Sequence, residues 1–181
     1  CGDLRGAQLL VASDMQLQVE SDASYNSEPG ATSRAGGVFF LGPRTPDFVN
    51  GPVDETSVRI DTVCASAAEA EYAAIFLNAR KACVLRQTLA DLGHPQGATP
   101  MSVDNKCAQG LANDTVKRRQ SKAIDMRFHW IRDRVRQGQF LINWAPGSSN
   151  LADFFTKNLA APQFQEMRLF FVKDIKPTPT Q

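Results

Sequence analysis

Residues 57–93 have the sequence SVRIDTVCASAAEAEYAAIFLNARKACVLRQTLADLG, and the pattern of apolar residues changes its period within this stretch. The first part, SVRIDTV over 57–63, alternates apolar and polar residues as a β-strand does. From Ala67 to Leu92 the chain is rich in Ala, Glu, Leu and Arg, contains neither Gly nor Pro, and is followed by Gly93. These features predict a β-strand and then a long α-helix that ends at a glycine.

Two more strands are predicted on the N-terminal side of this stretch. The sequence LQVESDAS, which begins at Leu17, alternates in part and predicts a first strand. Turn residues at 26–30 (NSEPG) and a Gly-Gly pair precede a second apolar run, VFFLG at 38–42. A loop rich in Pro and Gly over 42–54 then leads to the strand at 57–63. Three successive strands with short connections predict an antiparallel meander.

Strands and helices alternate on the C-terminal side. We predict a strand at 100–104 (PMSVD), a short helix in NKCAQGLAN and a loop over 117–122. An amphipathic helix follows, with Ile124, Phe128, Ile131 and Val135 on one face. The chain then continues with a strand at 140–145 (FLINWA), a turn at 146–150 (PGSSN) and a helix in LADFFTKNL. A meander followed by such alternation predicts the α/β class, with a mixed sheet and helices packed on its faces.

The length and composition are those of one globular domain. The chain has 181 residues, of which 43% are hydrophobic and 22% charged, so it can bury a single core. We expect a lead-in segment over 1–15, the domain over 16–172 and a tail over 173–181. The four cysteines have no CxxC spacing, which predicts neither a disulfide framework nor a zinc site and fits a reducing compartment. No run approaches the roughly 18 apolar residues of a membrane span.

The distribution of charge is more informative than its sum. The formal net charge is +1, yet residues 116–137 contain eight Lys or Arg residues and only two acidic residues. This local excess could contact a phosphate backbone, or it could be the solvated face of a helix. Charge alone does not separate the two interpretations.

Four acidic residues stand at positions where an α/β sheet collects functional groups. Asp22 lies within the first predicted strand, Glu71 in the first turns of the long helix, Asp104 at the end of the fourth strand and Asp153 in the first turn of the last helix. Carboxylate oxygens are preferred ligands of Mg²⁺, and two such ions can hold both oxygens of a phosphodiester displacement. Each acid also has an ordinary alternative, such as capping or favouring a helix N-terminus. Their spacing alone does not bring them together.

Several segments resemble, in order and over roughly residues 17 to 160, the ribonuclease H domains of copia-type LTR retrotransposon Pol polyproteins. The segments that carry the resemblance are SDASYN (21–26), SRAGGVFFLG (33–42), SAAEAEYAA (66–74), MSVDNKCAQGLAN (101–113), SKAIDMRFHWIRDRV (121–135) and NWAPGSSNLADFFTK (143–157). The resemblance implies the ribonuclease H fold, with a five-stranded mixed sheet of three antiparallel and then two parallel strands. It also implies an endoribonuclease that hydrolyses the RNA strand of RNA–DNA hybrids during reverse transcription, leaving 5′-phosphates.

The resemblance further implies a catalytic and metal-binding quartet around two Mg²⁺ ions, with Mn²⁺ as an alternative. Carried over by position, the quartet is Asp22, Glu71, Asp104 and Asp153. Asp22 would bridge the ions, Asp153 would complete the site on the water side, and Glu71 and Asp104 would hold the ion on the leaving-group side. Glu69 competes with Glu71, but the two lie about 200° apart around the helix axis, so only one can face the sheet. The family's E-x-x-A pattern favours Glu71.

Substrate contacts are expected near the quartet and in the basic segment. Hybrid would be distinguished by the 2′-hydroxyls in its shallow minor groove, contacted by Ser24, Asn26, Asn105 and Lys106. The phosphates of the DNA strand would meet Lys117, Arg118, Arg119 and Lys122. Many cellular and retroviral ribonucleases H carry a His in the loop before the last Asp, whereas the loop here, PGSSN, is short, as in the copia-type pattern, and holds no His. His129 lies on the preceding helix, and we interpret it as structural. Trp130 and Trp144 are expected in the core, as are the Phe154-Phe155 and Phe170-Phe171 pairs.

The family context predicts an upstream reverse transcriptase domain in the same polyprotein, a monomeric isolated domain without membrane contact, and a location in cytoplasmic virus-like particles or the nucleus. Two other functions remain open. The chain could be a catalytically inactive hybrid-binding or scaffolding remnant, although all four quartet positions hold acids. It could also be another nuclease on the same fold, such as an integrase or exonuclease, although the EAEY and NLAD segments disfavour this.

Overall fold

The computed structural model describes residues 14–42, 51–113 and 125–172. Its strands are β1 Leu17–Glu28, β2 Thr32–Leu41, β3 Asp54–Ile60, β4 Thr99–Val103 and β5 Phe140–Trp144. Its helices are α1 Ala67–Asp91, α2 Lys106–Ala112, α3 Asp125–Arg136 and α4 Ala161–Phe171, with shorter 3-10 segments at Gly147–Ser149 and Leu151–Phe155.

The strands form one mixed sheet in the order β3-β2-β1-β4-β5. β1, β2 and β3 form an antiparallel meander, whereas β4 pairs parallel with β1 and β5 parallel with β4. Each parallel pairing is reached through helices, as crossover connections require. This arrangement confirms the predicted α/β class and mixed sheet, and it brings the end of β4 beside the middle of β1 at the centre of the sheet.

The two faces of the sheet bury different sets of side chains because successive residues of a strand point to opposite faces. On one face Leu17 and Val19 of β1 pack in the main core with Tyr72 and Ile75 of α1 and with side chains of α2 and α3. On the other face Val38 and Phe40 of β2 pack against Leu151, Ala152 and Met167. The 3-10 helix Leu151–Phe155 and α4 therefore cover the second face near β1 and β2.

Several predicted boundaries differ from the structure: β1 continues to Glu28, into the predicted turn, and β2 already begins at Thr32. β3 covers 54–60 rather than 57–63, because its partner β2 begins at Thr32 and the ladder ends where Ser33 pairs with Ile60. The helix predicted in LADFFTKNL is only a five-residue 3-10 helix. A 3-10 helix has poorer hydrogen-bond geometry than an α-helix, so it seldom runs much beyond three or four residues. In addition, the hydroxyl of Thr156, at its end, is bonded to Asp22.

One helix, α4, was anticipated only through the inward-packed Phe170-Phe171 pair, and its bounds were not predicted. α4 follows with Pro162 in its first turn, a position that favours helix initiation, and it was not separated from the preceding segment or the tail. The loop predicted over 117–122 and the segments 1–13 and 173–181 lie outside the described residues, so the predicted domain boundaries stay predictions. Among the described helices, none has the length and apolar character that crossing a membrane requires.

Candidate active site

Asp22 lies at the centre of the site, on the central strand β1. Asp22 is fully buried, at 0% exposure, so its carboxylate must interact with other protein groups or with a bound cation. The Thr156 hydroxyl donates a hydrogen bond to Oδ2, and Lys157 Nζ lies 3.3 Å from Oδ1.

Asp104 reaches the same place because it directly follows β4, the parallel neighbour of β1. Asp104 is half-buried, and two neighbouring residues contact it, one at its backbone and one at its carboxylate. The indole N–H of Trp144 donates to the Asp104 main-chain carbonyl at 2.9 Å. Gly147 lies so close that a Cβ there would be 2.8 Å from Asp104 Oδ2.

Asp153 is carried by the 3-10 helix, whose N-terminus is fastened to β1. Asn150 caps this helix through Ala152 N at 3.1 Å and donates from its side-chain amide to the carbonyl of Ser21 at 3.0 Å. The buried carboxylate of Glu20 accepts the Leu151 N–H at 2.6 Å. These bonds hold the segment against β1 and place Asp153, itself buried, next to Asp22.

The three aspartates converge. One carboxylate oxygen from each of Asp22, Asp104 and Asp153 lies within 4.8 Å of the other two. Carboxylates at this distance repel one another unless a cation or a proton intervenes.

Glu71 belongs to the same neighbourhood but not to that tight triad. It is buried on α1, its Oε1 accepts the Ala23 N–H at 3.2 Å, and its Oε2 has no hydrogen-bond partner among the described residues. Glu69 instead supports the start of α1: its backbone N–H donates to Oγ of the cap residue Ser66, and its carboxylate accepts the N–H of Ala65, one residue before the cap, at 2.7 Å. Of the two glutamates, Glu71 is the one that faces the aspartates.

The electrostatics of the site follow from burial and crowding. Burial, with the charges of Asp22 and Asp104, raises the pKa of Glu71 from 4.5 to about 9. Burial and the charge of Asp22 likewise raise the pKa of Asp104. Burial raises the pKa of Asp153 to about 6, although the hydrogen bond from Lys157 acts in the opposite direction. The protein therefore gathers negative charge at a place where it is costly.

Lys157 supplies the positive charge of this cluster and was not singled out from the sequence. Its Nζ lies 2.7 Å from Asp153 Oδ1 as well as 3.3 Å from Asp22 Oδ1. Burial alone would lower the pKa of Lys157, but the hydrogen bond to Asp153 and the surrounding carboxylates raise it. A signal was available, because Lys157 follows Asp153 by four residues, the spacing at which helical side chains meet.

The donor set fits a divalent cation. It consists of hard carboxylate oxygens, as Mg²⁺ and Mn²⁺ prefer. Three of these oxygens already converge, and the buried Oε2 of Glu71 lacks a hydrogen-bond partner among the described residues.

Four of the expected substrate-contacting residues are described, each within four positions of Asp22 or Asp104 along the chain. Ser24 is on β1, and Asn26 is exposed with a positive φ of 52° in the irregular part of that strand. Asn105 caps α2 by accepting the Ala108 N–H at 3.0 Å, and Lys106 is exposed. Lys117, Arg118, Arg119 and Lys122 lie outside the described residues.

Some of the aromatic residues expected in the core are packed there, and one is not. Trp130 packs partly buried against the main core, and the two Phe pairs pack partly buried against the second-face cluster, as predicted. The prediction for Trp144 was wrong: it is 41% exposed, because β5 ends there, beyond the edge of the core that buries Phe140 and Ile142. His129 is exposed on α3, with its ring against that of Phe128.

The sequence and the structure were compared with those of known proteins. No family model matches the chain. It is 28% identical over 118 residues to the retrovirus-related Pol polyprotein from transposon TNT 1-94 of Nicotiana tabacum; this covers 65% of the chain but only 9% of that polyprotein.

Solved structures share the fold. The crystal structure of LC11-RNase H1 in complex with RNA/DNA hybrid matches with a TM-score of 0.58 and 14% identity, over 78% of this chain and 94% of that one. The N-terminal RNase H domain of Mycobacterium tuberculosis rv2228c matches with a TM-score of 0.51 and 17% identity, over 86% of this chain and 97% of that one.

The sheet order, the helices and these matches define the class: the chain is a domain with the ribonuclease H fold. Within that class its sequence is similar to part of the Pol polyprotein of a retrotransposon. The predicted ribonuclease H fold and the predicted resemblance to retrotransposon Pol polyproteins are both confirmed.

Proposed function

We propose that this domain is an endoribonuclease that hydrolyses the RNA strand of RNA–DNA hybrids during the reverse transcription of a copia-type retrotransposon. The observation that carries the proposal is the convergence of Asp22, Asp104 and Asp153, with oxygens within 4.8 Å of one another, on a ribonuclease H fold. Such a concentration of carboxylates has little structural value, and it suits the binding of divalent metal ions.

The four acids would divide the work of holding two Mg²⁺ ions, with Mn²⁺ as a substitute. Asp22 would contact both ions, Asp153 would complete one site, and Glu71 and Asp104 would complete the other. When bound, such a pair of ions activates water and stabilises the leaving oxygen. Lys157 would neutralise the charge that remains on Asp22 and Asp153.

Recognition of the hybrid would depend on residues at the edges of the cluster. Ser24, Asn26, Asn105 and Lys106 would contact the minor groove, where the 2′-hydroxyls distinguish the RNA strand. The basic residues at 117, 118, 119 and 122 would neutralise phosphates of the DNA strand, which predicts salt-dependent binding. We further propose that the domain follows a reverse transcriptase domain in its polyprotein, is monomeric when isolated, and acts in cytoplasmic particles or the nucleus.

The test is a cleavage assay with Mg²⁺ on an RNA–DNA hybrid, duplex DNA and single-stranded RNA, with binding measured in parallel. Wild type should cut only the RNA strand of the hybrid, whereas Asp22→Asn and Asp104→Asn should reduce cutting to background while remaining folded by circular dichroism. Asp61→Asn, at an acid with an 87% exposed side chain, is the matched control and should cut normally.

Three results would contradict the proposal in distinguishable ways. Hybrid binding without cutting would indicate an inactive binding remnant. Equal cutting of duplex DNA would indicate another nuclease on the same fold. Full activity of Asp104→Asn would remove that residue from the site.

A further inference from the structure

Asp104 lies just past the end of β4, where the sheet no longer fixes the backbone. The last ladder bond beside it runs from Ala145 N to the Val103 carbonyl at 2.9 Å. One residue further, the bond is made by a side chain: the Trp144 indole N–H donates to the Asp104 carbonyl at 2.9 Å. Trp144 thus extends the β4–β5 pairing by one residue, to the residue whose carboxylate enters the acidic cluster.

Gly147 bounds the Asp104 carboxylate from another direction. A Cβ at Gly147 would lie 2.8 Å from Oδ2 and 3.6 Å from the Asp104 Cβ. An alanine is compatible with the backbone there, since Gly147 is not among the glycines with positive φ. The contact with Oδ2 is therefore the main obstacle to a side chain, and the atom that would have to move is the carboxylate oxygen itself.

The exposure of Trp144 shows that core packing does not explain its position. The residue is 41% exposed, and the Lys106 ammonium lies 4.4 Å from its ring centroid. Lys106 is the first residue of α2, immediately after the helix cap Asn105. Trp144 therefore joins the end of β5 to the start of α2 across Asp104, the residue between β4 and the cap.

We infer that Trp144 and Gly147 are positioning residues that hold the Asp104 carboxylate in its metal-binding orientation. Trp144 fixes the backbone of Asp104 through its indole N–H, and Gly147 leaves the space that the carboxylate occupies. Neither residue contributes a metal-ligating atom. The inference rests on the proposed metal site, and it assigns to these two residues an effect on metal affinity that their packing alone would not produce.

The experiment measures binding of Mn²⁺ alone, in the absence of nucleic acid, by electron paramagnetic resonance and calorimetry. Trp144→Phe keeps the aromatic ring but removes the N–H donor, and Gly147→Ala adds only the methyl group that meets Oδ2. Each should weaken Mn²⁺ binding about tenfold or more, the usual effect of losing a group that orients a metal ligand. Asp104→Asn marks the effect of losing the ligand itself.

Matched controls separate positioning from general damage. Trp130→Phe makes the same chemical change at a ring that packs edge-to-face on Phe76, and Gly51→Ala adds a methyl group where no atom lies within 4 Å. Both should bind Mn²⁺ as wild type does, and circular dichroism should show all variants folded.

The outcomes are distinct. Wild-type affinity in folded Trp144→Phe and Gly147→Ala, alongside a loss in Asp104→Asn, would overturn this inference and leave the proposed function intact. No Mn²⁺ binding by the wild-type protein would overturn both. If one variant failed to fold, the other would still decide the question, because the two act on different atoms of Asp104.

Discussion

Glu71 and Glu69 lie two residues apart in one segment, yet their surroundings give them opposite roles. Glu69 accepts a backbone N–H at the start of α1, where a carboxylate interacts favourably with the helix dipole. Glu71 points into the sheet, is buried, and faces the charges of Asp22 and Asp104. Its ionised form is therefore costly until a cation binds.

This cost predicts a pH-dependent effect of Glu71→Gln on the metal-free protein. The pKa of Glu71 is raised from 4.5 to about 9 on folding, so between those values the folded state binds more protons than the unfolded state. The contribution of this group to stability is therefore present at low pH and is lost as the pH rises through that window. Glu71→Gln should gain in stability relative to wild type between pH 5 and pH 8.5, by about 1–3 kcal/mol.

Urea denaturation at several pH values, with a chelator present, measures this difference. Glu69→Gln is the control and should not gain stability, because it removes a carboxylate that accepts a backbone N–H at the start of α1. A difference between Glu71→Gln and wild type that did not change with pH would contradict the burial of an ionisable Glu71.

At the level of single residues, the sequence predicted the acids of the site but not the residues that contact them. The strand and helix positions of Asp22, Glu71, Asp104 and Asp153 followed from local pattern. Trp144 was misassigned because FLINWA places it on the same strand face as Phe140 and Ile142, and the pattern cannot show that the core ends before it. Thr156 and Lys157 contact Asp22 from a distant part of the chain, which no local pattern reveals.

At the scale of elements, the contact between β2 and the 3-10 helix Leu151–Phe155 positions Asp153. A Cβ at Gly36 of β2 would lie 2.5 Å from Thr156 Cγ2 and 2.9 Å from the carbonyl oxygen of Ala152. The carbonyl belongs to the backbone of the helix, so the helix would have to move. The absence of a side chain at Gly36 is what allows the two elements to approach this closely.

Gly36→Ala should therefore separate the 3-10 helix from the sheet and disturb Asp153. We expect a loss of about 1–3 kcal/mol in the free energy of unfolding, as for other overpacked sites, and a decrease in hybrid cleavage. Gly51→Ala, in open space, should change neither. Unchanged stability and cleavage in Gly36→Ala would show that the helix is not seated as described.

The elements themselves were predictable to different degrees. α1 was predicted closely because a long stretch of helix-forming residues without Gly or Pro is followed by a glycine stop. β3 was displaced by three residues because pairing with β2, and not its own alternation, sets its ends. The 3-10 helix was called a longer helix because its length is limited by tertiary contacts of Thr156.

At the scale of the whole molecule, metal binding, protonation and folding are expected to be linked. Folding brings the carboxylates together, so divalent ions bind the folded chain and stabilise it. At an ion concentration a hundred times the dissociation constant, the free energy of unfolding should rise by about 2.7 kcal/mol. Because burial raises the pKa values of Glu71, Asp104 and Asp153, protons must leave as metal binds, and the gain should shrink from pH 8 to pH 5.

Thermal unfolding with and without Mg²⁺ at the two pH values measures this linkage. Each kcal/mol corresponds to about 2–4 °C in Tm for a chain of this size. The double variant Asp22→Asn, Asp104→Asn should show no metal-dependent rise. A rise of equal size at both pH values would contradict the raised pKa values of the cluster.

The fold class, with a meander followed by alternating strands and helices, was predictable from the order of the elements, whereas the convergence of the acids was not. Spacing along the chain contains no information on which strand ends are neighbours. That information comes from the sheet order, in which β4 is placed beside β1 although three elements separate them in sequence. The resemblance to retrotransposon Pol domains supplied in advance what local periodicity could not.

The fastening of the 3-10 helix to β1 also has a consequence for biosynthesis. Thr156 and Asp22, which are bonded to each other, lie 134 residues apart, and Asp153 belongs to the same late segment. A ribosome delivers the chain from its N-terminus, so the meander and α1 emerge well before the segment that completes the carboxylate cluster. A nascent or prematurely terminated chain that stops before this segment would hold three of the four acids and lack the lysine that balances them, and the proposed hydrolytic activity would begin only when translation had passed it.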